Sequence, residues 1–163
     1  TKAADVFTTY RDTILLVDKG QKEVSSTVGH DLMHNHPFAE TRFAQAKAHY
    51  QALLTILEKG DMDGFSDLVE REALSLHAMM LTSSPSYILM HPNTIQIIKQ
   101  VRTFRKTSGL HLTFTLDAGA NVHLLYPAHE AEKIDQFIAS DLRKYCQDNE
   151  LIYDRVGTGL KKV

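Results

Sequence analysis

Residues 111–127 read HLTFTLDAGANVHLLYP. The first half alternates, with Leu112, Phe114 and Leu116 on one side and His111, Thr113, Thr115 and Asp117 on the other. That two-residue period is the mark of a half-buried strand. NVHLLYP predicts a second strand, with Val122 and Leu124 on one face. Between Asp117 and Val122 stand only Ala118, Gly119, Ala120 and Asn121, few enough for a hairpin.

Working outward, residues 94–106 predict a helix through Ile95, Ile98 and Val101, with Lys99, Arg102, Arg105 and Lys106 on a solvated side. Before it, TSSPSYILMHPN carries two prolines and cannot be helical throughout. Two longer helical patterns precede that break. Glu40 to Lys59 has a stripe of Phe43, Ala46, Tyr50, Leu53, Leu54 and Leu57 and is stopped by Gly60. Asp63 to Leu81 has a stripe of Phe65, Leu68, Val69, Leu76 and Met80, with Asp61 or Asp63 as N-cap. TILLVD at 13–18 predicts a buried strand, Ala128 to Cys146 an amphipathic helix, and LIYDRV from 151 a last strand. Hairpin-paired strands with helices between them predict one α+β domain over residues 1–163, an antiparallel sheet with helices on one face.

The 163 residues are 43% hydrophobic and 23% charged, with a formal charge of −2. Such a chain buries a core without disulfides. The charge and the minimal aromatic interleaving of the basic helix exclude a nucleic-acid binder, and no apolar run reaches the roughly 18 residues of a membrane span. The start TKAADVFTTY lacks a signal peptide's pattern, and the single Cys146 suits a reducing, cytoplasmic setting. Cys146 is expected to be unreactive at a helix C-terminus, where the dipole disfavours a thiolate. A chain that opens at Thr1 fits a processed terminus, a trimmed chain or the back half of something longer.

Three stretches carry possible chemistry. In LDAGAN, Asp117 ends a strand beside small residues whose backbone N–H groups can approach a ligand, although Asp, Gly and Asn also make ordinary turns. VSSTVGH at 24–30 holds Ser25, Ser26 and Thr27, which suit phosphate oxygens or a simple N-cap. In HDLMHNH, His30 and His34 would share a helical face and His36 lies nearby, but a zinc site needs further ligands at set spacings, so no metal site is assigned. His77 beside an apolar stripe is expected to be a satisfied, partly buried histidine. The phosphate-loop pattern G-x-x-x-x-G-K-[ST] and the pattern G-x-G-x-x-G do not occur, so phosphate handling would need help from elsewhere.

Taken together, TILLVD, VSSTVGH, EREALSLHAMMLTSSPSYI and FTLDAGANVHLL resemble the C-terminal domain of diphosphomevalonate decarboxylase, in the GHMP kinase superfamily. The matching residues are Ser26-Thr27-Val28-Gly29, His77-Ala78, Pro85 and Asp117-Ala118-Gly119-Ala120-Asn121. Ala120 stands where proline is common, and His30 where methionine is usual. The resemblance implies a ferredoxin-like sandwich, Asp117 as catalytic aspartate near the C3 hydroxyl of mevalonate 5-diphosphate, and Ser26, with Ser25 beside it, as substrate contacts. It further implies that Ala118, Gly119 and Ala120 run close to the substrate diphosphate. ATP and Mg²⁺ would be bound mainly by an N-terminal domain absent from these residues, and the full-length protein would be a homodimer. A mevalonate or phosphomevalonate kinase relative and a stand-alone metal- or ligand-binding module are the alternatives; an acid at position 117 weighs against the kinase.

Overall fold

The computed structural model describes residues 2–20 and 35–157. Four strands, β1 (Tyr10–Leu15), β2 (Thr113–Leu116), β3 (Val122–Pro127) and β4 (Leu151–Arg155), form one antiparallel sheet in the order β2-β3-β1-β4. The helices are α1 (Ala39–Lys59), α2 (Met62–Thr82), α3 (Pro92–Ser108) and α4 (Ala131–Phe137). The expected hairpin is present, with Leu116 opposite Val122 and Phe114 opposite Leu124. This strand order is that of a ferredoxin-like α+β sheet, as the resemblance implied.

The core face of the sheet carries Leu15, Phe114, Leu116, Val122, Leu124 and Tyr126, packed against Ile97 and Val101 of α3 and Ile134 of α4. Each such side chain contributes roughly 1.5–3 kcal/mol of transfer free energy. Gly60 and Gly109 close α1 and α3 in the left-handed region, at φ 73° and 71°, which a side chain would disfavour.

Several elements differ from their sequence reading. β1 starts at Tyr10 rather than Thr13, because the polar Arg11 and Asp12 still find partners, Arg11 in Asp135 and Asp12 in His123. The single helix expected over 128–146 is α4 followed by a π turn, Ile138–Leu142, and a 3-10 turn, Arg143–Tyr145. Ile134, Ile138 and Leu142 are all fully buried at four-residue intervals, which drift by only about 40° per step on an α-helix, and the wider π turn offsets that drift. The apolar stripe of α1 buries no residue: Phe43 and Tyr50 are more than half exposed, and the helix is tied to α2 through Arg42 and His49, which both reach Glu72. Burial adds a second reason to expect an unreactive Cys146. It is buried, and desolvation pushes its thiol up to about 11 against the smaller opposing effects of a backbone hydrogen bond at Leu16 and of Arg143.

The largest departure lies in α2. Its buried face includes Ser66, Glu70, Ala73 and His77, a mostly polar stripe at helical spacing beside the apolar one read from the sequence. This stripe runs along β2. Thr113 donates to the Ser66 carbonyl and to Glu70, and is fully buried although alternation put it on the solvent side. Glu70 also accepts from Arg102 and Arg105, so those two cations of α3 serve a buried carboxylate and not only a solvated face. Among the described residues no helix is long and apolar enough to cross a membrane.

Candidate functional site

The loop after β2 is held from two sides. From α2, His77 Nε2–H donates to the Asp117 carbonyl at 2.9 Å, which fixes the tautomer with its proton on Nε2. The Gly119 N–H reaches the same carbonyl at 2.8 Å. From α3, the Thr94 hydroxyl accepts from the His91 N–H at 3.1 Å and donates to the Ala120 carbonyl at 2.7 Å. The Asn121 side chain then accepts the Asp18 N–H at 2.9 Å, joining the loop to the residues that follow β1. With its backbone bound in this way, the loop sends the Asp117 side chain outward, where the residue is exposed.

The exposed carboxylate borders a cleft of about 390 Å³. Ile14 and Leu16, Asp18 to Gly20, Ile88, Leu89 and His91, the loop from Asp117 to Asn121, and His123 line it. The expected residues Asp117, Ala118, Gly119 and Ala120 are thus brought together on one wall. Ser25 and Ser26 lie outside the described residues, although Asp18, Lys19 and Gly20, which precede them in the chain, line the cleft. His30 and His34 of the histidine cluster also lie outside the described residues. His36 is engaged by protein: Nε2 meets the Met79 carbonyl and the Thr82 hydroxyl, each at 3.1 Å, and Nδ1 accepts the Phe38 N–H. Among the described residues no group of three or more His, Cys, Asp and Glu is disposed to hold a metal.

Sequence reasoning missed His91, His123 and the Asp18-Lys19 pair as cleft residues. His91 had a signal, since the His-Pro step starts α3 with proline in its first turn and so points that end of the helix at the loop. His123 had none beyond its outward place in the strand.

His77 is buried to 2% exposure, and burial lowers its pKa below the ordinary 6.5, with the Asp117 carbonyl acting in the opposite direction. Below pH 6.5 the unfolded chain therefore takes up a proton that the folded chain resists, and stability falls until the folded-state pKa is passed. We expect the urea midpoint to decline from pH 7.5 to 5.5 more steeply in the wild type than in His77→Gln. Parallel declines would show that His77 carries no such linkage.

Residues 13–159 match the family described as mevalonate 5-diphosphate decarboxylase C-terminal domain. A phosphomevalonate decarboxylase from Haloferax volcanii is 27% identical over 105 residues, 64% of this chain and 32% of that protein. The mevalonate pyrophosphate decarboxylase from Streptococcus pyogenes superposes with a TM-score of 0.84 at 22% identity, over 100% of this chain and 48% of that one. A solved chain described as MDDEF in complex with MVAPP, AMPPCP and magnesium has a TM-score of 0.80 at 20% identity, over 94% of this chain and 46% of that one. The chain thus spans about a third of the length of its curated relative and just under half of each solved chain.

Proposed function

Because the chain belongs to the mevalonate 5-diphosphate decarboxylase C-terminal domain family, we propose that it is the aspartate-bearing half of an ATP-dependent decarboxylase. The whole enzyme would convert mevalonate 5-diphosphate to isopentenyl diphosphate, carbon dioxide, ADP and phosphate. The observation that carries this reading is Asp117 at the rim of a cleft, on a loop whose carbonyls are bound by His77 and Thr94.

The chemistry assigns the carboxylate two duties. The C3 hydroxyl attacks the γ-phosphorus of ATP, and a normal carboxylate is too weak a base to remove its proton at rest. Asp117 would instead position the hydroxyl and accept the proton late, as bonding to phosphorus develops. The C3–O bond of the phosphorylated intermediate then breaks and phosphate leaves. The C1–C2 electrons become the C2=C3 double bond as carbon dioxide departs. Once Asp117 has passed the hydroxyl proton on to solvent, its restored negative charge favours the cationic character that develops at C3 during this step.

The backbone of Ala118, Gly119 and Ala120, with Ser26 and Ser25, would approach the phosphate end of the substrate. In this reading ATP and Mg²⁺, which supplies charge neutralisation of the phosphates, are bound mainly by an N-terminal domain. The assembled protein would be a cytoplasmic homodimer whose site lies between its two domains. The relative that acts on a monophosphate supports a second reading of the substrate, mevalonate 5-phosphate, for the same site.

The test is to supply the full-length protein with MgATP and either phosphorylated mevalonate, and to follow ADP and carbon dioxide together. Equal release of both is expected with one of the two substrates, which thereby identifies itself. ADP without carbon dioxide from both would mean a kinase.

A further inference from the structure

The loop that carries Asp117 has little with which to hold itself. Its next three residues are Ala118, Gly119 and Ala120, and strand pairing ends just before it, at Leu116 opposite Val122. Among the described residues, nothing lies within 4 Å of where a side chain on Gly119 would start, its chain neighbours aside. The loop is thus open above, and two side chains from different helices hold it from below. His77 of α2 donates to the Asp117 carbonyl at 2.9 Å, and Thr94 of α3 donates to the Ala120 carbonyl at 2.7 Å. They bracket the Ala118-Gly119 step, and both are buried, at 2% and 0% exposure.

Packing alone does not call for an imidazole here. Ala118 packs with Leu76, Met80 and Leu89, and a leucine at position 77 would fill much the same space without burying a polar ring. What His77 supplies is direction. A carbonyl can only accept, so the ring keeps its Nε2 proton whether neutral or charged. With β2 fixing one side of Asp117 and His77 fixing its carbonyl, the Cα–Cβ bond of the aspartate is given one direction. Aim matters at this position, because a reacting atom displaced by about 1 Å can cost roughly 100-fold in rate. Resting on the function proposed above, we infer that His77 and Thr94 are positioning residues. By clamping the two carbonyls they aim the Asp117 carboxylate at the reacting hydroxyl of the substrate.

The test is a mutant cycle in the full-length protein, read by steady-state kinetics with MgATP and the phosphorylated mevalonate that it turns over. His77→Leu should lower kcat roughly 10- to 100-fold, with KM within about 3-fold of the wild type. His77→Gln, whose amide N–H can replace the lost donor, should recover most of that loss. In the Asp117→Asn background the same leucine substitution should cost no more than about 3-fold, because the clamp acts through the carboxylate. Thr94→Val removes the other donor and keeps the side chain's shape. It should repeat the pattern, and it decides the matter if His77→Leu does not fold. Wild-type kcat in either folded variant, a glutamine variant as slow as the leucine one, or a loss of equal size with and without the Asp117 carboxylate would overturn the inference. A wild type that releases ADP but no carbon dioxide would overturn the decarboxylase reading, while the cycle, followed through ADP, still decides the roles of His77 and Thr94.

Discussion

Replacing Asp117 by asparagine in the full-length protein is expected to reduce kcat by roughly 10²–10⁴-fold, the range over which a positioned proton acceptor contributes. KM should change by only a few-fold. The substitution keeps the size of the side chain and one oxygen, and it leaves in place the carbonyl contacts with His77 and Thr94 that hold the loop. The variant should therefore fold as the wild type does, with the loop in place, and lose the proton acceptor and the negative charge together. Steady-state kinetics, with the wild-type melting curve as a control for folding, separate the outcomes. A large loss of kcat at near-normal KM is the expected result. A variant with near-normal turnover would remove Asp117 from the mechanism.

The second large effect concerns Glu70 and is one of stability. Its side chain is only 5% exposed and accepts from Arg102 Nε at 2.9 Å, from Arg105 and from Thr113 at 3.2 Å. Truncating it leaves the Arg105 guanidinium and the Thr113 hydroxyl partly or wholly buried without that acceptor. Breaking a buried ion pair from one side costs on the order of 3–5 kcal/mol, and the partial exposure of both arginines places this case near 3 kcal/mol. Urea unfolding of Glu70→Ala should show a loss of that size. Arg71→Ala, at an exposed position of the same helix, should change stability by no more than about 0.5 kcal/mol. Equal stabilities for the two variants would mean that the network does not hold α2 in place. Glu70 and His77 lie seven residues apart on one face of α2, so the clamp at Glu70 also seats the histidine beneath the Asp117 loop.

These two residues mark what sequence reading can and cannot reach. Asp117 was legible because strand alternation ended at an acid beside Ala, Gly, Ala and Asn, and because that motif recurs in a family. The hairpin and the helix stopped by Gly60 were legible for similarly local reasons, a two-residue period in one case and a required left-handed φ in the other. Glu70 was not legible. A buried carboxylate looks like any solvated one until two arginines more than 30 residues away are folded against it. His123 was hidden in the same way, since its partner Asp12 is 111 residues distant in sequence. The broken helix after Ala128 escaped because its apolar spacing of four fits an α-helix nearly as well as the π turn that replaces it. Local patterns reveal local structure, whereas polar contacts between distant segments appear only once the sheet has assembled.

The account stands most directly on where the Asp117 carboxylate lies relative to the reacting oxygen. A crystal structure of the full-length protein with mevalonate 5-diphosphate bound would measure that separation. The account predicts an Asp117 oxygen within hydrogen-bond reach of the C3 hydroxyl, about 2.6–3.2 Å. A substrate bound in the cleft with its C3 hydroxyl beyond reach of Asp117, and with no water joining the two, would contradict it.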